Sequence, residues 1–219
     1  MTKVTDEQPP DRDTEERILS AARTVFVRRG TAGARMQEIA AEAGVNQALL
    51  HYYFRTKERL AEAVFAEAAG RVAPAIARVL ASDASIEEKV ERFVHLYIDN
   101  VREHPFLPGY ILSELHHRPE RLRALLDGAR VDGSESAVAL ASRVMATLGR
   151  QLGELAASGR IRPIAPEQFL VNLVALAVIP FVARPALEIV FGMGDEAFGH
   201  FLDERRATLP GFILDALRP

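Results

Sequence analysis

The chain has 219 residues, of which 48% are hydrophobic and 26% are charged, and it contains no Cys and no Trp. The lack of Cys excludes disulfide bonds, thiolate metal sites and Cys nucleophiles. The longest apolar run, 169–182, is interrupted by Asn172 and Pro180 and is shorter than the ~20 residues that a membrane-spanning helix needs. We therefore expect a soluble, cytoplasmic protein without a signal peptide.

Charge is distributed unevenly along the chain. The formal net charge is −3, but residues 17–59 contain eight Arg or Lys and only three Glu, which gives +5 there and leaves −8 for the remainder. A basic N-terminal segment joined to an acidic body is typical of a DNA-binding domain attached to a domain that does not bind DNA. Because helical surfaces of other proteins also carry Arg, the charge alone does not decide the function.

The first elements in chain order are a polar tail and one amphipathic helix. Residues 1–13 are polar and include two Pro, so they predict a disordered tail. The next helix is expected from Thr14 to Arg29, capped by Asp13 or Thr14 and ended by Gly30. Its apolar stripe comprises Ile18, Ala22, Val25 and Phe26.

Residues 36–59 predict two short helices joined by a tight turn. Ile39, Ala40 and Ala43 form one apolar face ahead of Gly44, which favours the left-handed conformation that such a turn requires. Apolar spacing then resumes and leaves a polar face, followed by a basic run. The outward positions are Asn46, Gln47, His51, Tyr52 and Tyr53, and the basic residues are Arg55, Lys57 and Arg59. This layout is that of a helix-turn-helix with a phosphate-binding flank.

The same segment resembles the DNA-binding signature of TetR-type transcriptional repressors. The matching positions are Ile39, Ala40, Ala43, Gly44, Val45, Leu50, Tyr53, Phe54, Lys57 and Leu60. The sequence departs from the family pattern at Asn46, Ala48 and His51, although Asn46 can still cap the second helix. It also has Ala34 where the family commonly has a capping Thr. We expect Thr31, Gly33 or water to fill that role.

The resemblance implies a division of roles among the polar residues of the motif. Side chains at the start of the second motif helix face base edges in the major groove, where Asn and Gln can pair with adenine. The groove-facing set is Asn46, Gln47, Ala48 and Leu49, with His51 as a further contact of undetermined kind. Phosphate contacts are expected from Tyr52, Tyr53 and Lys57, and base or phosphate contacts from Arg35 and Gln37. Each of these residues is alternatively ordinary solvated surface.

The remaining sequence has helical periodicity throughout and predicts an all-α body. A long helix from Lys57 towards Ala81, kinked at Pro74, links the motif to the body as a lever. The fold class is therefore all-α, with a three-helix helix-turn-helix domain at 14–60 and a larger ligand-binding and dimerisation domain at 61–219. Further helices are expected at 86–103, 106–117, 120–127, 134–158, 166–183 and 195–217, with a loop at 128–133.

Several aromatic and polar residues of the body are candidates for the inducer pocket that TetR-type proteins possess. The set is Phe93, Tyr97, Tyr110, Glu114, His117, Met145 and Phe169. Aromatic and Met residues at helical spacing are more often plain core. Glu114 and His117 have the spacing of half a di-iron site, but the second Glu-x-x-His is absent, so we predict neither a metal nor a cofactor.

The resemblance and the residues together predict a homodimeric, ligand-responsive repressor of an inverted-repeat operator. Helices 134–158 and 166–183 are expected to form the dimer interface, because they carry more apolar surface than one subunit can bury. The alternative for these helices is the core of a monomer. Two other functions remain open at this point: a helical enzyme, and a sequence-tolerant DNA-binding protein without ligand control.

Overall fold

A computed structural model describes residues 12–128, 130–131 and 135–219, and these residues are almost entirely helical. The helices are α1 (Arg12–Gly33), α2 (Met36–Ala43), α3 (Gln47–Tyr53), α4 (Lys57–Ala81), α5 (Ile86–Arg102), α6 (Leu107–His117), α7 (Glu120–Gly128), α8 (Ala137–Ala157), α9 (Pro166–Val182), α10 (Arg184–Phe191) and α11 (Asp195–Asp215). The predicted all-α class is confirmed. Most of the predicted tail, residues 1–11, lies outside the described residues.

The chain divides into two compact units, and the boundary in the sequence falls between Ala68 and Ala69, within α4. In the smaller unit, α1 packs against α2, and α2 against α3, around a small apolar core. Its buried side chains include Ile18, Ala22, Val25, Phe26, Ile39, Ala40, Leu50, Leu60 and Ala61. The apolar stripe predicted for the first helix is therefore buried as expected. The domain boundary predicted at residue 60 remains a prediction.

The first helix is longer than the sequence indicated. It begins at Arg12 and continues to Gly33, with one non-helical residue, Gly30, at φ 67° and ψ 159°. The predicted stop at Gly30 is thus a break rather than an end, since a short turn of helix follows it. Glycine tolerates this positive φ without the steric cost that a side chain would add.

The larger unit is built around α5, which packs against α8, α9 and α11. A capping box fixes the start of α5: Ser85 Oγ accepts from the Glu88 amide (3.2 Å) and the Glu88 carboxylate accepts from the Ser85 amide (3.1 Å). These two bonds satisfy backbone donors that the first helical turn leaves free. The central apolar residues include Val90, Phe93, Val94, Ile98, Leu148, Leu152, Phe169 and Leu173.

A buried lysine joins α5 to α8. The Lys89 side chain has no solvent exposure, and its Nζ donates to Gln151 Oε1 at 2.5 Å while Gln151 Nε2 donates to the Ala84 carbonyl at 2.9 Å. Burial lowers the pKa of Lys89 from its ordinary value, and the nearby Arg150 adds to this shift. The amphipathic pattern of α5 did not reveal this position, because a lysine normally marks the solvated face of a helix.

An arginine completes the hydrogen bonding of α9. Pro180 lies inside this helix and has no N–H to donate to the carbonyl of Leu176, four residues earlier. Arg205 of α11 donates to that oxygen instead, from Nη2 at 2.6 Å and Nε at 3.3 Å. Pro180 therefore leaves the Leu176 carbonyl free to accept from Arg205, and this contact joins α9 to α11.

Two connections differ from the predicted ones. Part of the expected loop 128–133 forms a two-residue antiparallel pairing, β1 (Arg130–Val131) with β2 (Glu135–Ser136). No helix was predicted between those at 166–183 and 195–217, but α10 (Arg184–Phe191) lies there, with Pro185 in its first turn. A proline is tolerated there because the first turn of a helix has no internal acceptor for its missing N–H.

The exposed apolar surface is distributed differently from the prediction. The apolar stripe of α8 is buried within its own subunit: Leu140, Val144, Leu148, Leu152 and Leu155 all face the core. This stripe of helix 134–158 therefore needs no second subunit to cover it, whereas the place of the helix in a dimer interface remains a prediction. By contrast, α9 keeps an exposed apolar face, in which Val171 is 61% and Ile179 53% exposed, and so does α10, where Ile189 is 83% exposed.

Within the described ranges, no single helix is both long enough and apolar enough to cross a membrane. The pair α9 and α10 passes a length and composition test only when the two are taken together, and they are bent by 65° at their junction.

Candidate nucleic-acid interface

The turn between α2 and α3 has the left-handed glycine that the sequence predicted. Gly44 adopts φ 65° and ψ 34°, and its N–H bonds back to the end of α2. Arg17 of α1 adds a second restraint, since its Nη2 donates to the Ala43 carbonyl at 3.0 Å. Carbonyls at the end of a helix lack internal partners, so this contact satisfies one of them. The turn fixes how α3 projects from the smaller unit.

The first residue of the α3 region has a structural role. Asn46 is the N-cap of α3, and its Oδ1 accepts from the Leu49 amide at 2.8 Å. The predicted cap is therefore confirmed. Because this oxygen is already engaged, the Asn46 side chain has chiefly its Nδ2 donor left for other contacts.

The rest of α3 separates into an inner and an outer side. Leu50 is fully buried and anchors the helix, while Leu49 is half-buried. Gln47 and Ala48 are exposed in the first turn. Among the predicted groove-facing residues, Gln47 thus has an exposed polar side chain whose amide oxygen and nitrogen are both available to a ligand.

Aromatic and basic residues lie at the other end of α3. Tyr52 is 54% exposed and its ring meets that of Tyr53 edge to face, with centroids 5.6 Å apart. His51 is exposed, and its Nδ1 atom lies 3.3 Å from the carbonyl oxygen of Arg55. Thr56 Oγ1 then accepts from the Arg59 amide at 3.2 Å and so begins α4.

The start of α2 leaves a cation at the surface. Arg35, not Ala34, occupies the N-cap position, and it makes no side-chain cap hydrogen bond. The cap position is therefore one residue later than the sequence indicated, and the capping role expected of Thr31, Gly33 or water remains a prediction. Both Arg35 and the adjacent Gln37 are exposed. The first amides of a helix carry partial positive charge, so this end of α2 favours an anion.

Not all of the predicted positive charge is available to a ligand. Arg29 Nε and Arg28 Nη2 lie 2.8 and 3.0 Å from one carboxylate oxygen of Glu38. Arg29, followed by Arg28, holds the pKa of that carboxyl below its ordinary value. The exposed cations near α3 are Arg35, Arg55 and Arg59.

Lys57 lies in an unexpected environment. The sequence predicted a phosphate contact, but its half-buried side chain reaches back to the junction between α1 and α2. Its Nζ donates to the carbonyls of Ala32 at 3.1 Å and Ala34 at 3.2 Å. No periodicity in the sequence indicates this contact, because it joins residues more than 20 positions apart (separations of 25 and 23).

The candidate ligand-pocket residues of the larger unit fall into two groups. Most are buried: Phe93, Tyr97, Tyr110, Glu114 and Phe169. Met145 is half-buried and His117 is exposed, with its Nδ1 2.8 Å from the Ser113 carbonyl. The structure thus brings part of the predicted set inside the unit and leaves His117 at the surface.

The buried aromatic residues pack ring against ring. Phe93 stacks on Tyr97 with centroids 6.1 Å apart, and Tyr97 meets the edge of Phe181 at 5.9 Å. Phe181 in turn meets Phe198 at 6.2 Å. Burial raises the pKa of the Tyr97 hydroxyl above its ordinary value.

A buried ion pair joins two of the shorter helices of the larger unit. Glu114 of α6 and Arg121 of α7 contact each other directly, and their side chains are only 8% and 6% exposed. Sequence reasoning selected Glu114 but not its partner. Among the described residues, no group of three or more His, Asp or Glu side chains is arranged to hold a metal ion.

An open depression of about 390 Å³ lies between α7 and α8. Its lining residues are Pro119, Leu122, Arg123, Leu126, Asp127 and Val138. None of the predicted pocket residues lines it. The predicted pocket therefore remains a prediction.

Comparisons with known proteins agree with the helix-turn-helix geometry. Residues 18–64 match the family described as bacterial regulatory proteins, tetR family. The chain is 32% identical over 113 residues to the HTH-type transcriptional repressor Rv3405c of Mycobacterium tuberculosis, covering 52% of this chain and 57% of that one. It is also 32% identical over 124 residues to the HTH-type transcriptional repressor NicS of Pseudomonas putida, covering 54% and 58%. The matches thus span less than two thirds of either relative.

Solved structures show the same fold over nearly the whole chain. The fatty acid degradation regulator FadR from Bacillus halodurans aligns with a TM-score of 0.61 and 17% identity, covering 94% of this chain and 97% of that one. HlyIIR, a hemolysin II transcriptional regulator, aligns with a TM-score of 0.54 and 22% identity, covering 94% and 98%. The chain thus matches the TetR family of bacterial regulatory proteins in sequence over residues 18–64, and its helices have the arrangement seen in these solved structures.

Proposed function

We propose that this chain is a homodimeric transcriptional repressor that binds an inverted-repeat operator in the cytoplasm and is released by a small-molecule inducer. The observation that carries the proposal is the conformation of the α2–α3 turn, in which Gly44 directs α3 outward with Gln47 and Ala48 exposed on its first turn. A helix presented in this way is suited to the major groove.

Base recognition would be concentrated at Gln47. A Gln side chain can pair with both N6 and N7 of adenine, because it offers a donor and an acceptor together. Ala48 would contact a thymine methyl, and the Nδ2 group of Asn46 would donate to a base or phosphate acceptor. Arg35, Arg55 and Arg59 would hold backbone phosphates and so set the register without reading sequence.

Dimerisation would use the exposed apolar face of α9. This face includes Val171, Val174 and Ile179, none of which is buried within the subunit. An exposed apolar face of this kind is expected to be covered by a partner. A second copy of the chain would place two α3 helices on successive major grooves of an inverted repeat.

The variant Gln47→Ala is expected to lose most of its preference for the operator. One bidentate base contact contributes about 1–3 kcal/mol of discrimination, so affinity for the operator should fall by roughly 5- to 150-fold while affinity for random DNA stays the same. Fluorescence anisotropy with labelled DNA from the region flanking the coding sequence, and with random DNA as competitor, measures both quantities. Titration at high protein concentration should give two chains for each inverted repeat.

Arg59→Ala is the control for this experiment. It removes an exposed cation without a base contact, so it should weaken binding to both DNAs by a similar factor and reduce the salt slope by about 0.9. Equal binding of flanking and random DNA by the unmodified chain would contradict the operator at that location. No binding to either DNA at low salt would overturn the whole proposal.

Inducer control would act through the larger unit and α4, which has residues in both units. An inducer need only bind better to the conformation with low DNA affinity, and a coupling of about 1–3 kcal/mol changes operator affinity by roughly 5- to 150-fold. We expect that small apolar compounds found by a thermal-shift screen lower operator affinity in the anisotropy assay. A compound that raises Tm through the larger unit yet leaves operator affinity unchanged would argue against ligand control.

A further inference from the structure

The ammonium group of Lys57 joins two parts of the smaller unit that are distant in sequence. Lys57 is the first residue of α4, and its Nζ donates to the carbonyls of Ala32 and Ala34 at 3.1 and 3.2 Å. Ala32 lies in the last turn of α1, and Ala34 lies in the short connection between α1 and α2. Two charge-assisted hydrogen bonds from one amine make a strong local restraint, because such bonds are about twice as strong as neutral ones.

The backbone of the connection that Lys57 reaches is held by a hydrogen bond across the break in α1. Gly30 interrupts α1 with a positive φ of 67°, and the Ala34 amide donates back to the Gly30 carbonyl at 3.2 Å. The next residue, Arg35, is the N-cap of α2 and makes no side-chain cap bond. The direction in which Arg35 leaves the surface therefore depends on how this connection is held.

We propose that Lys57 is a positioning residue that fixes the α1–α2 connection and thereby holds Arg35 and the first amides of α2 in place for operator phosphates. This inference rests on the proposed function. It differs from the role predicted from the sequence, in which Lys57 is itself a phosphate ligand. Two of the three donors of its ammonium group are used by Ala32 and Ala34, so at most one is left for DNA.

A double-mutant cycle between Lys57→Met and Arg35→Ala separates the two roles. If Lys57 acts by placing Arg35, each single variant should weaken operator binding by about tenfold, and the double variant should be weaker than either single variant by no more than about twofold. Residues within one network commonly show such non-additivity. If Lys57 is an independent phosphate ligand, the two losses should multiply to about 100-fold, since separate sites add in free energy.

Arg59→Met is the matched control, because it removes a cation two residues further along α4 whose side chain is exposed. Its effect should multiply with that of Arg35→Ala. If Lys57→Met merely reduced the amount of folded protein, its loss of operator binding would multiply with the loss caused by Arg35→Ala. Such a defect would therefore not imitate the expected result. Lys57→Gln, which loses the charge and is too short to span both carbonyls, repeats the cycle if the Met variant folds poorly.

Hydrogen exchange in the protein without DNA tests the restraint directly. Lys57→Met should accelerate exchange of the Ala34 amide by about tenfold or more, because the bond from Ala34 to Gly30 loses its support, whereas exchange of the Leu50 amide in α3 should be unchanged. The Arg59→Met control should alter neither amide. Multiplicative losses in the cycle, or unchanged exchange at Ala34, would overturn the inference. Failure of the unmodified chain to bind any operator would overturn the proposed function instead, and the exchange experiment would still test the restraint.

Discussion

Replacing Arg121 by Leu is expected to lower the free energy of unfolding of the full chain by about 3–5 kcal/mol, the range measured when one partner of a buried ion pair is removed. The Glu114 carboxylate contacts Arg121 directly, and both side chains are less than a tenth exposed. The variant leaves that carboxylate in a site with little water to replace its lost cation. Urea denaturation followed by circular dichroism measures the change.

The double variant Glu114→Leu with Arg121→Leu provides the critical comparison. Removing both charges eliminates the cost of desolvating them, so the double variant should be more stable than Arg121→Leu alone. Arg123→Leu is the matched control, because Arg123 is exposed on the same helix and its loss should change stability by less than about 0.5 kcal/mol. An Arg121→Leu variant as stable as the Arg123→Leu control would show that the pair contributes nothing.

Replacing Arg205 by Met is expected to destabilise the chain by about 1–3 kcal/mol, the cost of leaving a shielded backbone acceptor unsatisfied. The Leu176 carbonyl lacks its usual helical donor because Pro180 has no N–H. It accepts hydrogen bonds from the guanidinium of Arg205 instead. The same denaturation experiment measures the loss. Arg206→Met is the control, since Arg206 makes a surface ion pair with Asp99 and its removal should have a smaller effect.

Introducing Pro180→Ala tests the cause of this dependence. The alanine restores a backbone N–H that can donate to the Leu176 carbonyl within the helix. Arg205→Met should therefore cost about 1 kcal/mol less in the Pro180→Ala background than in the original chain. If Arg205→Met is equally damaging in both backgrounds, the arginine stabilises α11 by packing, for example against the nearby Phe201 ring, and not by replacing a missing donor.

The helix-turn-helix was predictable because its signals are local. A left-handed glycine, an Asn cap and apolar residues at helical spacing all act within a few positions, and the structure confirms Gly44, Asn46 and Leu50 in those roles. The role of Lys57 was not predictable in this way. Its partners lie 25 and 23 residues earlier in the chain, and only the folded arrangement brings them together.

In the larger unit, too, the sequence did not reveal contacts between residues that are distant along the chain. Apolar spacing located its helices other than α10 to within a few residues, but could not show which apolar faces meet inside the subunit. For this reason the stripe of α8 was assigned to a dimer interface although it is buried in the core. The charged residues in the interior, Lys89 and Arg121, were missed because charge normally indicates exposure.

The ligand-pocket residues stand between these cases. Burial of Phe93, Tyr97 and Phe169 follows from their positions on apolar faces, but burial does not distinguish a binding cavity from a packed core. Ring contacts near 6 Å between Phe93, Tyr97 and Phe181 mean that a ligand entering here would have to displace aromatic packing. The spacing of these residues along the chain does not show whether a cavity lies among their side chains.

The cap on α3 affects which substitutions this chain can tolerate as its sequence diverges. Asn46 uses its side-chain oxygen to cap the helix, whereas the neighbouring Gln47 side chain is exposed and makes no hydrogen bond among the described residues. A substitution at Asn46 is therefore penalised in stability before any change in DNA preference is tested by selection. Substitutions at Gln47 carry no such penalty. Under the proposed function, gene copies of this protein can consequently acquire new target sites through one codon while the scaffold around it is inherited unchanged.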